Sequence, residues 1–264
     1  MNSKQYTMIT GASSGLGKAF AIECASRGMH IILIALPGSN TVSLGQSIAL
    51  QYGVDVQVFE FDLTDRDALH RHLAHITGHY NVSFLINNAG MGGTSHMAET
   101  TVEKIDQIIQ LNVRGTVLVT RLLIPHLLKN EKSYIMNISS MAAFTPIAFK
   151  TVYPASKAFI SSFSLGLKEE FSGTGLSVSV VYPGPMMTNS HTSRRIIGQG
   201  FKGKMGLLSA TAIARLAMRK TLAGQPTIIP GFMNRVNHLL MSVLPVEWKS
   251  RIVSREVKKE IQYA

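Results

Sequence analysis

"TGASSGLGKAF", residues 10–20, follows an apolar run at the start of the chain and opens a helix-like segment. Its glycines, Gly11, Gly15 and Gly17, have the spacing G-x-x-x-G-x-G. Glycine permits a tight turn and a close approach of the backbone to a pyrophosphate, and a helix N-terminus offers that anion free N–H groups and a positive dipole. Glycine–serine turns are common, but this position between a first strand and a first helix predicts a dinucleotide-binding loop.

Strand-like and helix-like stretches alternate along the rest of the chain. Apolar, β-branched runs occur at residues 6–10, 30–35, 56–61, 82–88, 133–139 and 176–183, with a shorter run at 226–231. Helix-length segments between them include residues 16–27, 102–128 and 155–171. Near-continuous apolar strands joined by helical crossovers are typical of a parallel sheet covered on both faces. We therefore predict the α/β class, with a Rossmann-type doubly wound sheet in a single domain, residues 1–231.

Composition restricts the class of protein further. The 264 residues are 45% apolar and 16% charged, which suffices for a large folded core. The single cysteine, Cys24, excludes an internal disulfide and fits a reducing compartment. The first strand-like run begins at residue 5, so no signal peptide is recognised, and runs such as residues 31–36 are too short to span a bilayer. We expect a cytoplasmic protein.

The positive charge is concentrated near the C-terminus. Residues 1–193 carry +1 (13 Lys/Arg, 12 Asp/Glu) and residues 194–264 carry +10 (13 Lys/Arg, 3 Asp/Glu). Apolar residues recur there at helical spacing: Phe232, Val236, Leu239, Leu240, Val243 and Leu244. Beyond Pro245, Trp248, Ile252 and Val253 lie among Lys249, Arg251, Arg255, Lys258 and Lys259. Residues 232–264 are therefore predicted to form a basic amphipathic helical extension, either peripheral at the inner face of an anionic membrane or packed on the body or a sister subunit.

Tyr153 and Lys157, in "TVYPASKAFISSF" (151–163), form a candidate acid–base pair. Pro154 suits the first turn of a helix, so the two side chains are at positions i and i+4 and share one face. A free tyrosine has a pKa near ~10, which a nearby ammonium or a positively charged nicotinamide lowers. Taken alone, the pair is far more typical of an ordinary helix start with a surface tyrosine and lysine.

Seven motifs in order make the chain similar to a known family. They are "TGASSGLG" (10–17), "FDLTD" (61–65), "NNAG" (87–90), "LNVRG" (111–115), "NISS" (137–140), "YPASK" (153–157) and "YPGPMMT" (182–188). Over roughly residues 5–190 the chain resembles the short-chain dehydrogenase/reductase family. The resemblance implies an NAD(P)-dependent oxidoreductase and a homodimer or homotetramer.

The resemblance also implies four catalytic residues. Tyr153 would donate or accept the proton, while Lys157 would bind the nicotinamide ribose hydroxyls and lower the tyrosine pKa. Ser140 would orient the substrate oxygen, leaving Ser139 a structural role. Asn112 would hold a water that relays protons to the lysine; the alternative is an asparagine that satisfies helix backbone.

The cofactor-binding residues implied in the same way lie in five motifs. They are Gly11, Ser13, Ser14, Gly15, Leu16, Gly17, Asp62, Leu63, Asn88, Ala89, Gly90, Tyr153, Lys157, Pro183, Gly184 and Thr188. Asp62 would touch the adenine amine, although it is also placed to cap the following helix. Asn88–Gly90 would line the ribose, and Pro183, Gly184 and Thr188 would hold the nicotinamide amide.

The end of the second strand bears on the choice of cofactor. Ala35 and Leu36 occupy the positions where an acid usually reads a 2′-hydroxyl, and no basic residue is present at Ser14. No carboxylate is there to repel a 2′-phosphate, which residues 39–41 could contact. The pattern favours NADP over NAD.

The expected reaction interconverts a ketone and a secondary alcohol on a hydrophobic, lipid- or steroid-like substrate. Apolar residues expected near the site are Met91, Met141, Phe144, Phe149 and Met186. The alternative is a non-catalytic nicotinamide-binding redox sensor or a membrane-surface scaffold. We expect no metal site, because His75 and His79 lack completing ligands, and no nucleic-acid binding, because no base-reading pattern is present.

Overall fold

The computed structural model describes residues 4–186 and 207–262. The strands are β1 (Gln5–Thr10), β2 (His30–Ala35), β3 (Val56–Glu60), β4 (Asn81–Asn87), β5 (Ser133–Ile138), β6 (Leu176–Val181) and β7 (Thr227–Ile228). The helices are α1 (Gly15–Ser26), α2 (Thr41–Tyr52), α3 (Arg66–His79), α4 (Val102–Ile109), α5 (Thr116–Leu127), α6 (Val152–Glu170), α7 (Ala210–Leu222), α8 (Phe232–Ser242) and α9 (Val246–Gln262). Short 3₁₀ turns lie at Met97–Glu99 and Met141–Phe144, and a π turn, Gln110–Gly115, joins α4 to α5.

The seven strands form one parallel sheet in the order β3-β2-β1-β4-β5-β6-β7. The chain runs outward from β1 to β3 and then returns to the centre, where β4 pairs with β1. The carboxyl ends of β1 and β4 therefore flank the point at which the strand order reverses, where doubly wound sheets bind ligands. The predicted α/β class and the doubly wound sheet are confirmed.

Both faces of the sheet are covered, which explains the near-continuous apolar strands. In β2, Ile31 points into the core that also contains Phe20 of α1 and Met218 of α7. Its neighbour Ile32 points into the opposite core, with Leu123 of α5. Successive strand residues alternate between faces, so each position of a central strand must be apolar.

The continuous helix Val102–Leu127, which comprises α4, the π turn and α5, is long and apolar enough to cross a membrane by length and composition. Its second half nevertheless packs on the sheet, with Val119, Leu123 and Leu127 fully buried. This is the environment of a core helix.

The C-terminal segment contains two helices, α8 and α9. Helix α8 rests on the 3₁₀ turn Met141–Phe144, where the rings of His238 and Phe144 are 4.1 Å apart. Helix α9 contacts the same region, because Ser254 Oγ accepts a hydrogen bond of 2.9 Å from Ala148 N. The division of the chain at residue 231 stays a prediction.

Candidate functional site

The glycine loop connects β1 to α1 and is shaped by its glycines. Gly11 and Gly15 have φ of +65° and +53°, in the region that favours glycine. A Cβ at Gly17 would overlap the Gly11 carbonyl oxygen, and a Cβ at Gly11 would lie 2.9 Å from Ala89 Cα. Ser14 precedes α1 but makes no side-chain cap, which leaves the first-turn N–H groups uncapped by it. The loop thus fits the pyrophosphate of a dinucleotide.

Thr10 and Asn88 fasten this loop to the end of β4. The Asn88 side-chain amide donates to the carbonyls of Thr10 and Gly11, at 3.0 and 3.1 Å. Thr10 Oγ1 accepts from the backbone N–H groups of Asn88 and Ala89, both at 3.0 Å. The Asn88 side chain therefore supports the glycine loop. Thr10 was missed from sequence, where only its place before the first glycine could have indicated it.

After β4, the main chain at Gly90 and Gly92 lies directly against the predicted catalytic residues. A Cβ at Gly90 would lie 3.2 Å from both Asn112 Oδ1 and Lys157 Nζ. A Cβ at Gly92 would lie 3.0 Å from the Tyr153 ring. The segment after β4 thus brings its main chain against three of the four predicted catalytic residues.

Tyr153 and Ser140 meet through their side chains. The two hydroxyls lie next to each other, and this contact opposes the effect of burial, which raises the pKa of Tyr153. Ser140 Oγ also accepts from Ala142 N at 3.1 Å, which caps the 3₁₀ turn Met141–Phe144 and fixes the serine. Two hydroxyls therefore converge where one substrate oxygen can reach both.

Lys157 is buried one helical turn after Tyr153. Its Nζ donates to the Ile138 carbonyl at 2.8 Å and lies 5.9 Å from the Tyr153 ring centroid. Burial lowers the pKa of Lys157 to about 8. In the protein without a cofactor, burial raises the pKa of Tyr153. The expected lowering by the ammonium and an oxidised nicotinamide stays a prediction.

Asn112 lies in the π turn and bonds to a distant segment. Its Oδ1 accepts from Met91 N, and its Nδ2 donates to Met91 O, both at 2.8 Å. Nδ2 also donates to Ser156 Oγ at 3.0 Å, and Ser156 in turn donates to the Tyr153 carbonyl at 2.7 Å. The side chain thus satisfies the backbone of Met91 and not that of its own helix. Ser156 was not identified from sequence.

Ser139 has the structural role expected of it. Its hydroxyl donates to the Lys157 carbonyl at 2.7 Å, which ties the end of β5 to α6. Ser140, the next residue, is the serine that faces the site.

Asp62 and Leu63 follow β3 near the expected adenine position. Asp62 is exposed, and its Oδ1 accepts from Thr64 N at 2.8 Å. The cap of α3 is Asp65, whose carboxylate accepts from Asp67 N and Ala68 N. The alternative that Asp62 caps this helix is therefore wrong. Leu63 is buried.

The loop after β2 presents hydroxyls and no carboxylate. Leu36 is exposed, and Ser39 Oγ donates to its carbonyl at 2.6 Å. Ser39 Oγ is also 2.7 Å from Thr41 Oγ1. These hydroxyls hold the turn together on the side where a ribose would lie.

The segment after β6 contains the remaining predicted cofactor residues. Pro183 O accepts from Met141 N at 3.0 Å. A Cβ at Gly184 would lie 2.6 Å from Asn234 Nδ2, so glycine is needed where α8 approaches. Asn234 is buried and was missed from sequence, since nothing local links it to Gly184. Thr188 lies outside the described residues.

The predicted apolar residues gather at the same end of the sheet. Phe144 packs 4.5 Å from Tyr182, and Phe149, at φ +66°, packs against His96. Within the described part of the chain, no group of three or more His, Cys, Asp or Glu could hold a metal.

The chain matches a family model described as short chain dehydrogenase over residues 5–196. It is 34% identical over 182 residues to the very-long-chain 3-oxoacyl-CoA reductase of Anas platyrhynchos, which covers 67% of this chain and 58% of that protein. It is 31% identical over 182 residues to 17-beta-hydroxysteroid dehydrogenase type 3 of Homo sapiens, covering 68% and 58%. The chain thus spans less than two thirds of these two relatives.

Among solved structures, the chain is similar to a short-chain dehydrogenase from Sphingobium yanoikuyae in complex with NADPH. The TM-score is 0.76 and the sequence identity 26%, over 91% of this chain and 96% of that one.

Proposed function

The chain belongs to the short-chain dehydrogenase/reductase family, and from that premise we propose a nicotinamide-dependent oxidoreductase that interconverts a ketone and a secondary alcohol. The observation that carries the proposal is the contact between the Ser140 and Tyr153 hydroxyls beside the buried Lys157. A protein that only bound the cofactor would not need two hydroxyls converging beyond its glycine loop. The relatives with named activities are enzymes, so the redox sensor or scaffold alternative has no support from them.

The glycine loop and Asn88–Gly90 would hold the cofactor, with Pro183 and Gly184 on the nicotinamide side. The bound nicotinamide supplies or accepts the hydride. Ser140 Oγ and Tyr153 OH bind the substrate oxygen from one side and orient its carbon. In the reducing direction the Tyr153 hydroxyl gives its proton to that oxygen, and in the oxidising direction the phenolate accepts it.

Lys157 helps to replace this proton. Its buried ammonium, with a pKa of about 8, can release a proton near neutral pH more easily than an exposed lysine. Asn112 positions Met91 and, through Ser156, the first turn of the helix that carries Tyr153.

We propose a hydrophobic, lipid- or steroid-like substrate. The named activities of the two curated relatives are on a very-long-chain acyl thioester and a steroid. The residues next to Ser140 support this choice, because the turn Met141–Phe144 that it begins consists of apolar side chains.

We propose NADP as the preferred cofactor. The similar Sphingobium protein is in complex with NADPH. The turn after β2 supports the preference, because Ala35 and Leu36 offer no carboxylate to repel a 2′-phosphate and the Ser39 hydroxyl lies beside them.

Replacing Tyr153 by phenylalanine tests the reaction. Turnover of a 3-oxoacyl thioester or a 17-ketosteroid, followed by NADPH oxidation, should fall by about 10²–10⁴-fold, the usual contribution of a general acid. NADPH binding, measured by fluorescence titration, should be retained. The control is Tyr134→Phe, at the opposite end of β5. Turnover within tenfold of the parent would exclude Tyr153 as the proton donor.

A homo-oligomer is proposed from the resemblance and from one surface. An apolar hollow of about 460 Å³ lies between α4 and α6, lined in part by Ile109, Val113 and Phe159. Light scattering on Phe159→Asp checks this assignment, since a charge there should dissociate the oligomer. A cytoplasmic location stays a prediction.

A further inference from the structure

The C-terminal helices leave apolar side chains in solvent. On α8 these are Phe232, Leu239, Leu240 and Val243, and on α9 they are Trp248 and Ile252. Val243 is 77% exposed and Trp248 62% exposed. These six residues, together with Arg235, Arg251 and Arg255, are called the outer face. Such a concentration of exposed apolar side chains typically marks an interaction surface.

The outer face is presented by helices that are fixed on the body. On α8, Asn234 is buried and donates to Pro230 O at 2.8 Å, while the His238 ring lies against Phe144. On α9, Val257 is buried and Ser254 Oγ accepts from Ala148 N. The inner face of α8 thus contacts Phe144 and that of α9 contacts Ala148, four residues apart in the chain, so both helices rest on neighbouring parts of the body. Packing on the body therefore accounts for one side of each helix and leaves the other uncovered.

The charge around the outer face determines the kind of partner. The segment that carries this face, residues 232–258, contains five Lys/Arg and two Asp/Glu, a net charge of +3. The Arg235 guanidinium lies 6.0 Å from the Phe232 ring centroid, and Arg251 and Arg255 flank Ile252 at helical spacing. A second copy would bring like charges together, which is unfavourable. An anionic partner is complementary.

We infer that the outer face docks on an anionic phospholipid surface. Exposed Leu, Val and Phe side chains insert at the boundary between headgroups and acyl chains, Trp248 lies at the headgroup level, and the arginines contact lipid phosphates. The inference does not depend on the proposed catalytic function, because it rests on α8 and α9 alone.

Vesicle binding tests the inference with the full-length chain. The protein is mixed with phosphatidylcholine vesicles or with vesicles that also contain phosphatidylglycerol, and is then sedimented. We expect pelleting with the anionic vesicles only. Trp248 is the single tryptophan of the chain, so its emission should shift to the blue and be quenched by brominated acyl chains.

Two variants with matched controls separate the contributions of the face. Leu240→Gln combined with Val243→Gln should abolish pelleting. The control is Leu50→Gln, which changes an exposed leucine on α2, away from the outer face, and should leave pelleting unchanged. Arg251→Gln with Arg255→Gln should weaken binding about 30-fold, since each surface cation contributes roughly fivefold. Lys129→Gln with Lys132→Gln, exposed at the other end of the sheet, should leave binding unchanged.

Circular dichroism verifies that each variant is folded. The inference is wrong if the parent protein fails to pellet, if its Trp248 emission is unchanged, or if the Leu240/Val243 variant pellets like the parent. If the parent does not bind vesicles and is a dimer that the Leu240/Val243 substitutions make monomeric in sedimentation equilibrium, the inference is also wrong. In that case a second copy of the chain covers the outer face.

Discussion

Replacing Lys157 by methionine measures what the buried ammonium costs the fold. The lysine side chain is 6% exposed, and burial lowers its pKa from 10.5 to about 8. Between these two values the unfolded chain binds more protons than the folded protein, so stability rises with pH. Below pH 8 the folded protein carries the full cost of the buried charge.

The magnitude follows from the gap between the two pKa values. One pKa unit corresponds to about 1.4 kcal/mol, so the full gap corresponds to about 3 kcal/mol, of which about 2 kcal/mol is recovered by pH 9.5. The methionine variant has no such group. The free energy of unfolding of the parent minus that of Lys157→Met should therefore rise by about 2 kcal/mol between pH 7 and 9.5.

Urea unfolding followed by circular dichroism at several pH values gives this difference. Loss of the hydrogen bond from Lys157 Nζ to Ile138 O adds an offset that does not change with pH. Burial also raises the pKa of Cys24, but this affects parent and variant alike and cancels. Lys168→Met, on the same helix with a side chain 40% exposed, is the control for the loss of a lysine that is not buried. A flat or falling difference for Lys157→Met would refute the reasoning.

Three further substitutions test other parts of the site. Gly17→Ala places a Cβ on the Gly11 carbonyl, so the free energy of unfolding should fall by about 1–3 kcal/mol. NADPH binding, measured by fluorescence titration, should be lost, and normal binding would contradict the assignment of the loop. Ser156→Ala removes the link to Asn112 and should cost about 1 kcal/mol in urea unfolding and lower kcat without weakening cofactor binding. Asp65→Ala removes the cap of α3 and should cost about 1 kcal/mol while kcat/KM stays unchanged; a fall in kcat/KM would show that this helix end acts on the site.

The fold was predictable because its strands are buried on both faces. The run predicted at residues 30–35 coincides with His30–Ala35, and the run at 56–61 extends one residue beyond Val56–Glu60. The segment 102–128 was predicted only as a helix-length stretch, and in the structure it contains the π turn. Periodicity alone does not distinguish one extra residue in a long helix.

The site was predictable where a motif is local. Tyr153, Lys157 and the glycine loop follow from short spacings, whereas Thr10, Ser156 and Asn234 act through partners distant in sequence. The sequence identifies the charged neighbours of Tyr153, Lys157 and an oxidised nicotinamide, but not how deeply the tyrosine is buried. Burial depends on the whole fold, and it raises the pKa of Tyr153 in the protein without a cofactor.

The π turn at Gln110–Gly115 has a consequence for anyone who redesigns this protein. A helix advances 1.5 Å and turns about 100° per residue, so deleting one residue here to obtain a regular helix would rotate Val102–Ile109 against Thr116–Leu127. Either Asn112 would leave Met91 or Leu123 would leave the core. Idealised backbone geometry and a working site are therefore incompatible over these six residues, and the irregular turn should be kept fixed when the helix is resequenced.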